Sequence, residues 1–200
     1  MKRFLLSFAV VLVSLSALAQ NDYQAAFFGT QTDGLTDNTG TIQRAIDFIS
    51  EKGGGTLTFT VGRYLTGAVL LKSNVTIHLK EGAVLLAKPS VYAYSGHKAL
   101  ICAEGESRIA VIGKGCIDGN AKALKADIAD QKAKGFITDS TAPALISFKN
   151  CVDARVEGIK LINPATDRYI DGVKPVGTYT YFYETGKCIT PDGKTIHVQK

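Results

Sequence analysis

Residues 53–86, GGGTLTFTVGRYLTGAVLLKSNVTIHLKEGAVLL, restrict the fold more than any other stretch of the chain. Three glycines stop whatever precedes them, and four short apolar runs follow at 56–59, 64–71, 75–79 and 83–86. In the third run Val75, Ile77 and Leu79 alternate with Thr76, His78 and Lys80, the period of a strand with one face buried. The breaks between runs, Val-Gly-Arg, Lys-Ser-Asn and Lys-Glu-Gly, have turn chemistry and leave no room for a crossover helix. Strands joined this tightly build either an antiparallel meander or the coils of a β-solenoid.

The flanking sequence favours the solenoid. In 39–52, TGTIQRAIDFISEK, the residues Ile42, Ala45, Ile46 and Ile49 share one helical face. Asp37, Asn38 or Thr39 can cap its start, and Gly53 ends it. A single amphipathic helix ahead of a series of strands would cover the open edges at one end of a stack of coils. Beyond 86, Lys88-Pro89-Ser90 and the Tyr92/Tyr94 segment read as loop, and strand-like runs resume at 99–102 and 108–112. AKALKADIADQKAK, 121–134, reads as a helical excursion with Leu124 and Ile128 on one side, after which 144–148 and 155–162 return to strand. Weak internal similarity links these runs. Segment 109–118 aligns with 154–163 at an offset of 45, matching Val111 with Val156, Gly113 with Gly158 and Ile117 with Ile162. Val75, Ile77 and Ala83 fall in step with Ile109, Val111 and Ile117 at an offset of 34. Recurring units that cannot bury their own faces are the mark of a solenoid.

The chain opens with Lys2 and Arg3, an apolar run at 4–18 and small residues at Ala17 and Ala19, the layout of a secretory signal peptide. The run is too short to span a bilayer comfortably. The expectation is an exported protein, with no membrane association once residues 1–20 are cleaved, and a single domain over 21–200 whose tail from about 166 diverges. The net charge is +5, of which the leader supplies two. That mild excess permits an acidic polymer as partner, whereas the lack of Lys/Arg clusters with interleaved aromatics argues against nucleic acid. Cys102, Cys116, Cys151 and Cys188 could form disulfides in an exported chain, but most sit beside apolar residues at strand positions, which favours free, mostly buried thiols. No Cys/His spacing suggests zinc, and no cofactor or metal is expected.

Together, FG…DG.TD, the I-Q-x-A-I helix, GGG, F..G.YLTG and LKSNVT.HL.EGAVL resemble the opening of polygalacturonase-like enzymes of glycoside hydrolase family 28, within the pectate-lyase-like β-helix superfamily. SRIAVIGKGCIDGN and PALISFKNCVDARVEGIKLINP are similar to the coils that follow there, so the resemblance runs from about Phe27 to Pro164. It implies an all-β fold: a right-handed parallel β-helix with an N-terminal capping helix, truncated to the family's N-terminal half. It also implies secreted, carbohydrate-active chemistry on an acidic, pectin-like plant polysaccharide, by a monomer. The family's catalytic elements, N-T-D, D-D, G-H-G and R-x-K, come later in its chains. Here the last three are absent, and Asn163-Pro164-Ala165 stands where the family has N-S-P-x-W. An inverting glycosidase needs a general acid and a carboxylate base opposed across a gap. The chain therefore reads as one that lacks the catalytic residues, or as a non-catalytic glycan-binding or structural module.

Asp192, in T-P-D-G near the place of the family's N-T-D-G, is the weak catalytic candidate; its ordinary use is a turn joining 188–190 to 195–199 as a hairpin. Asp118 reads as a coil-corner residue, and Asp167 and Asp171 as solvated loop. His97 falls too early to be the G-H-G histidine, and His78 faces outward on its strand. In TYTYFYE, Tyr179, Tyr181 and Tyr183 alternate with Thr180 and Phe182, and such a face can stack on sugar rings. The competing role for that strand is to close the end of the stack.

Overall fold

Half-apolar strands five residues long can bury one face only against copies of themselves, and here they do so by winding. The computed structural model describes residues 21–97, 99–138, 142–166, 170–171, 177, 179–182 and 185–197. Each coil gives one strand to each of three sheets. Gly55–Phe59, Gly62–Thr66 and Val69–Leu70 form the first full coil, and Val75–Leu79, Ala83–Ala87 and Ala99–Glu104 the second. Ser107–Gly113, Cys116–Asp118 and Ala144–Lys149 form the third, and Val152–Glu157, Lys160–Ile162 and Ile170–Asp171 the fourth. Strands of successive coils pair in parallel within each sheet. The result is a right-handed parallel β-helix, the hand that parallel connections take.

Register turns the sequence period into ladders of like residues. Leu57, Ile77, Val111 and Val156 stack in the first sheet. Tyr64, Leu85, Ile117 and Leu161 stack in the second, and Val69, Ile101 and Ile146 in the third. All eleven are buried, and each such side chain contributes about 1.5–3 kcal/mol on leaving water.

The capping helix, α1, spans Thr39–Glu51 and buries the four residues expected, Ile42, Ala45, Ile46 and Ile49. Its start is held by Asp37: Oδ1 accepts the Thr39 backbone N–H at 2.9 Å and the Thr39 hydroxyl at 2.5 Å. The Asn38 side chain instead donates to the Gln31 and Thr36 carbonyls. Gln43 acts as a surrogate strand on the edge of Val69–Leu70. Its Oε1 accepts from Leu70 N–H at 2.7 Å, and its Nε2 donates to the Leu70 carbonyl at 3.0 Å. A helix thereby satisfies backbone groups that would otherwise template another chain. The second helix, α2 (Ala121–Ala133), is the expected excursion, with Leu124 and Ile128 buried. At the other end Tyr179–Phe182 pairs in parallel with Lys160–Ile162, and Lys187–Ile189 and Thr195–His197 add antiparallel strands to the same sheet.

Three expectations need correction. The run 64–71 is not one strand, because the chain turns a corner between Thr66 and Val69. Gly67 makes that corner: its N–H donates to the Thr39 hydroxyl at 2.6 Å, and a Cβ there would sit 2.9 Å from the Ala93 carbonyl oxygen. The offsets of 34 and 45 hold in the first sheet, where Ile77 pairs with Val111 and Val111 with Val156. They fail past the next corner. Ile117 lies against Leu85 and Leu161, not against Ala83 and Ile162, because the corner is two residues shorter in the third coil than in the second and shorter again in the fourth. The four cysteines are free, as expected, but only Cys188 is fully buried, the others being half-buried.

Candidate functional site

Two kinds of corner carry the chemistry of this stack. Where the second sheet passes to the third, the chain makes its long excursions, and Asp118 anchors the longest. The residue is buried, 7% exposed; Oδ1 accepts the Asn120 N–H at 3.0 Å and the Asn163 side-chain amide at 2.9 Å, while Oδ2 faces Arg63 at 3.5 Å. Asn120, at φ 47°, donates in turn to the Ala87 carbonyl. Asp118 thus ties the first, third and fourth coils together, which is the corner role expected of it. The neighbouring Cys116 thiol is pushed up to about 12, by burial first and then by the Asp118 charge. A thiol held that high is a poor nucleophile.

Where the first sheet passes to the second, the turns are short and charged. Thr60 and Val61, Lys80 and Glu81, and Gly113 and Lys114 lie on three successive coils and, with His78, line an open cleft of about 660 Å³. Thr60 follows Phe59, Lys80 follows Leu79 and Lys114 follows Gly113, which are register partners, so these three leave the first sheet at matching places; Lys80 N–H still donates to the Phe59 carbonyl, but it is Gly115 N–H that donates to the Leu79 carbonyl, so Lys114 is already out of register. The corner shortening shapes the cleft. The turn at 113–115 retracts beneath the turn at 80–82, so close that a Cβ on Gly115 would lie 2.6 Å from the Leu79 Cβ. Lys80, Glu81 and Lys114 are exposed. By contrast Lys72, Lys88, Lys134 and Lys194 are each paired with an aspartate.

Asp192 lies in the turn of the end hairpin. The Thr190 hydroxyl donates to Oδ1, and Lys194 Nζ stands 2.8 Å from Oδ2. Lys194 first and Thr190 second hold its carboxyl below the ordinary range. Thr190 N–H donates to the Lys194 carbonyl at 2.9 Å, closing the hairpin expected between these strands. Tyr179 and Tyr181 occupy backbone positions beside Lys160 and Ile162, with buried Thr180 between them. Tyr183 and Asp167 lie outside the described residues, and Asp171 is a strand residue opposite Ser147. His97 and His197 are exposed and do not line the charged cleft, whereas His78 forms part of it. Among the described residues no group of three His, Cys, Asp or Glu side chains could hold a metal ion, and no helix is long and apolar enough to cross a membrane.

Reasoning from residue types alone missed the cleft because its charges are thirty-four positions apart. The offset that aligned Ile77 with Val111 also aligns Lys80 with Lys114, and that was the available signal.

No family model matches the chain. A solved structure from Parabacteroides merdae, described as a candidate glycosyl hydrolase, is 40% identical, with a TM-score of 0.75; the match covers 90% of this chain and 100% of that one. The chain belongs to the polygalacturonase-like β-helix superfamily. An exo-poly-α-D-galacturonosidase of Dickeya chrysanthemi is 32% identical over 124 residues, 52% of this chain and 20% of that enzyme. The polygalacturonase of Erwinia carotovora shares the fold at 22% identity and a TM-score of 0.61, covering 78% of this chain and 48% of that one. This member of the superfamily therefore spans a fifth of the length of one enzyme and about half of the other.

Proposed function

We propose that this chain is an exported, carbohydrate-active β-helix protein that holds an acidic, pectin-like polysaccharide and does not itself hydrolyse it. The observation that carries the reading is the state of the Asp192 carboxylate, which three others share. Asp33, Asp37, Asp47 and Asp192 are all held below the ordinary range by hydrogen bonds or lysine partners. A glycosidase acid must be held above it, opposite a second carboxylate. Asp118 is bound into a corner network by Asn120, Asn163 and Arg63, which is a structural use of its carboxylate. The polysaccharide partner is supported by the galacturonosidase likeness and by the lysine-lined cleft, and export by the leader-like residues 1–20.

The test is a reducing-end assay on polygalacturonate and rhamnogalacturonan, run beside Asp192→Asn, with retention on immobilised polygalacturonate measured in parallel. Binding without turnover is expected, since each positioned acid or base that is missing removes a factor of about 10² to 10⁴ in rate. Turnover that Asp192→Asn abolishes would overturn the reading in favour of a rearranged active site.

A further inference from the structure

We infer that two copies of this chain associate through the free edge of Thr195–His197, strand against strand, across a two-fold axis at Ile196. The inference goes beyond the proposed function and departs from the monomer that the family resemblance implies.

The edges of the three sheets are not alike. A sheet edge pairs with other chains unless charge, a bulge or a cover prevents it. The first sheet ends on Asp22–Gln24, which carries Asp22, and on Val152–Glu157, which carries Asp153, Arg155 and Glu157, with Asp153 at φ 54°. The second sheet begins at Asp33–Asp37, which carries Asp33, Asp37 and a shift of register. In the third sheet the Gln43 side chain covers Val69–Leu70, and the far edge, Ile170–Asp171, holds Asp171. Thr195–His197, the other edge of the second sheet, has none of these protections. It contains no Asp, Glu, Lys or Arg, all of it is exposed, and no described strand pairs on its outer side. The adjacent Lys194 is occupied by Asp192 at 2.8 Å.

The hairpin fixes which backbone groups are free. Thr190 N–H donates to the Lys194 carbonyl, and Cys188 lies opposite Ile196. Hydrogen-bonded pairs alternate with unbonded ones in an antiparallel ladder. Ile196 therefore directs its N–H and C=O to Cys188, while Thr195 and His197 turn theirs outward. A copy related by a two-fold axis through Ile196 meets this edge antiparallel, the sense in which Thr195–His197 already pairs with Lys187–Ile189. Thr195 then faces the copy's His197, and His197 the copy's Thr195, each exchanging N–H and C=O groups. Ile196, 47% exposed in the single chain, packs against the copy's Ile196. So short a strand buries well under the roughly 1,200 Å² of a stable interface, so the dimer is weak and forms as concentration rises.

The experiment is sedimentation velocity of the intact chain over a wide range of concentration, with the melting temperature of every variant recorded to show that it is folded. The average mass of the parent should rise toward that of a dimer. Ile196→Lys sets two ammonium groups against each other across the axis, and His197→Pro removes an outward N–H that the pairing with Lys187–Ile189 does not use. Each should weaken association about tenfold or more, with the melting temperature unchanged. Val152→Lys, on the charged edge of the first sheet, should associate as the parent does. Ile196→Cys should join copies by a disulfide on mild oxidation, because residues opposite each other in such a ladder have Cα atoms roughly 4.5–5.5 Å apart; Val152→Cys should not. A parent that stays monomeric at every concentration would overturn the inference, and so would a dimer that Ile196→Lys leaves intact. Equal weakening by Ile196→Lys and Val152→Lys would trace the effect to net charge and sink it as well.

Discussion

The two helices have the same length, thirteen residues each, and opposite relations to the stack. Helix α1 lies across the end of the coils. Its four buried residues are at most 1% exposed, and Gln43 completes the edge of a strand. Helix α2 lies beside the coils at a corner. It buries Ala121, Leu124 and Ile128 at 6%, 0% and 9%, and its polar contacts run to the 3-10 turn Val91–Tyr94 rather than to a sheet. A parallel stack can dispense with a lateral insertion, because sheet hydrogen bonds continue past it. It cannot dispense with an end cap, because the ladders stop there: Asp22–Gln24 and Asp33–Asp37 extend the first and second sheets by one strand, and at Val69–Leu70 the helix side chain takes the place of a strand. The difference predicts that damage to α1 spreads through the core, while damage to α2 stays local.

The largest expected effect is therefore in α1. Ile46→Asp places an unpaired carboxylate in a site that is 0% exposed and leaves a cavity; it should cost more than about 4 kcal/mol. The variant should fail to give a cooperative melt, and an unchanged melting temperature would show that the cap is not docked. Leu124→Ala comes next. The leucine is fully buried, but a peripheral helix can settle inward, so the cost should fall at the lower end of the usual range, about 2 kcal/mol. Differential calorimetry should show a melt lowered by several degrees with its cooperativity intact. A collapse as severe as that of Ile46→Asp would erase the distinction between the two helices.

Both helices could be read from the sequence, because a thirteen-residue segment samples the 3.6 period often enough to display a face. The strands were readable for a similar reason, and the order of turn motifs led to the β-helix. What could not be read were the corners. Two or three residues carry no periodicity, so nothing in Thr66-Gly67-Ala68 announces that an apolar run bends through them. The same blindness hid the slip that sets Ile117 against Leu85 and Leu161. The charged cleft is made of corners, whereas carboxylates and aromatics read along the chain point to Asp192 and the tyrosine strand instead. Lys80 lies in a Lys-Glu-Gly turn and Lys114 beside Gly113, and only the winding of the coils brings both to one cleft.

A smaller effect should follow from the polar seam that fastens α2. Asp127 Oδ2 accepts the Val91 backbone N–H at 2.7 Å, and Tyr92 donates its hydroxyl to Gln131 Oε1 at 3.0 Å. Asp127→Ala should cost about 1 kcal/mol, the net worth of a hydrogen bond whose donor is left partly buried. Amide exchange at Val91 should accelerate while exchange in the Val75–Leu79 strand stays slow. Equal acceleration in both would mean that α2 is cooperative with the coils, as α1 is.

The smallest effect belongs to the polar start of α1. Burial pushes the Asp37 carboxyl up, but the Lys88 ammonium at 2.8 Å and the Thr39 donors outweigh it, so the net displacement is downward. A carboxyl depressed in the folded state adds stability that is fully present above the unfolded value, about 3.9, and is lost as pH falls through the folded value. Asp37 is largely open to solvent, and screening reduces its contribution to a few tenths of a kcal/mol. Asp37→Asn should therefore lower the melting temperature slightly at neutral pH and flatten its decline in acid, below about pH 4. The Lys88 partner sits on the second coil, so the same substitution also tests whether the cap communicates with the stack through this ion pair. Lys88→Ala should reproduce most of the change at neutral pH, and adding salt should shrink it in the parent. If Asp37→Asn alters the melt by as much as Leu124→Ala does, the cap is held chiefly by its polar start, and the apolar face of α1 is not what separates the two helices.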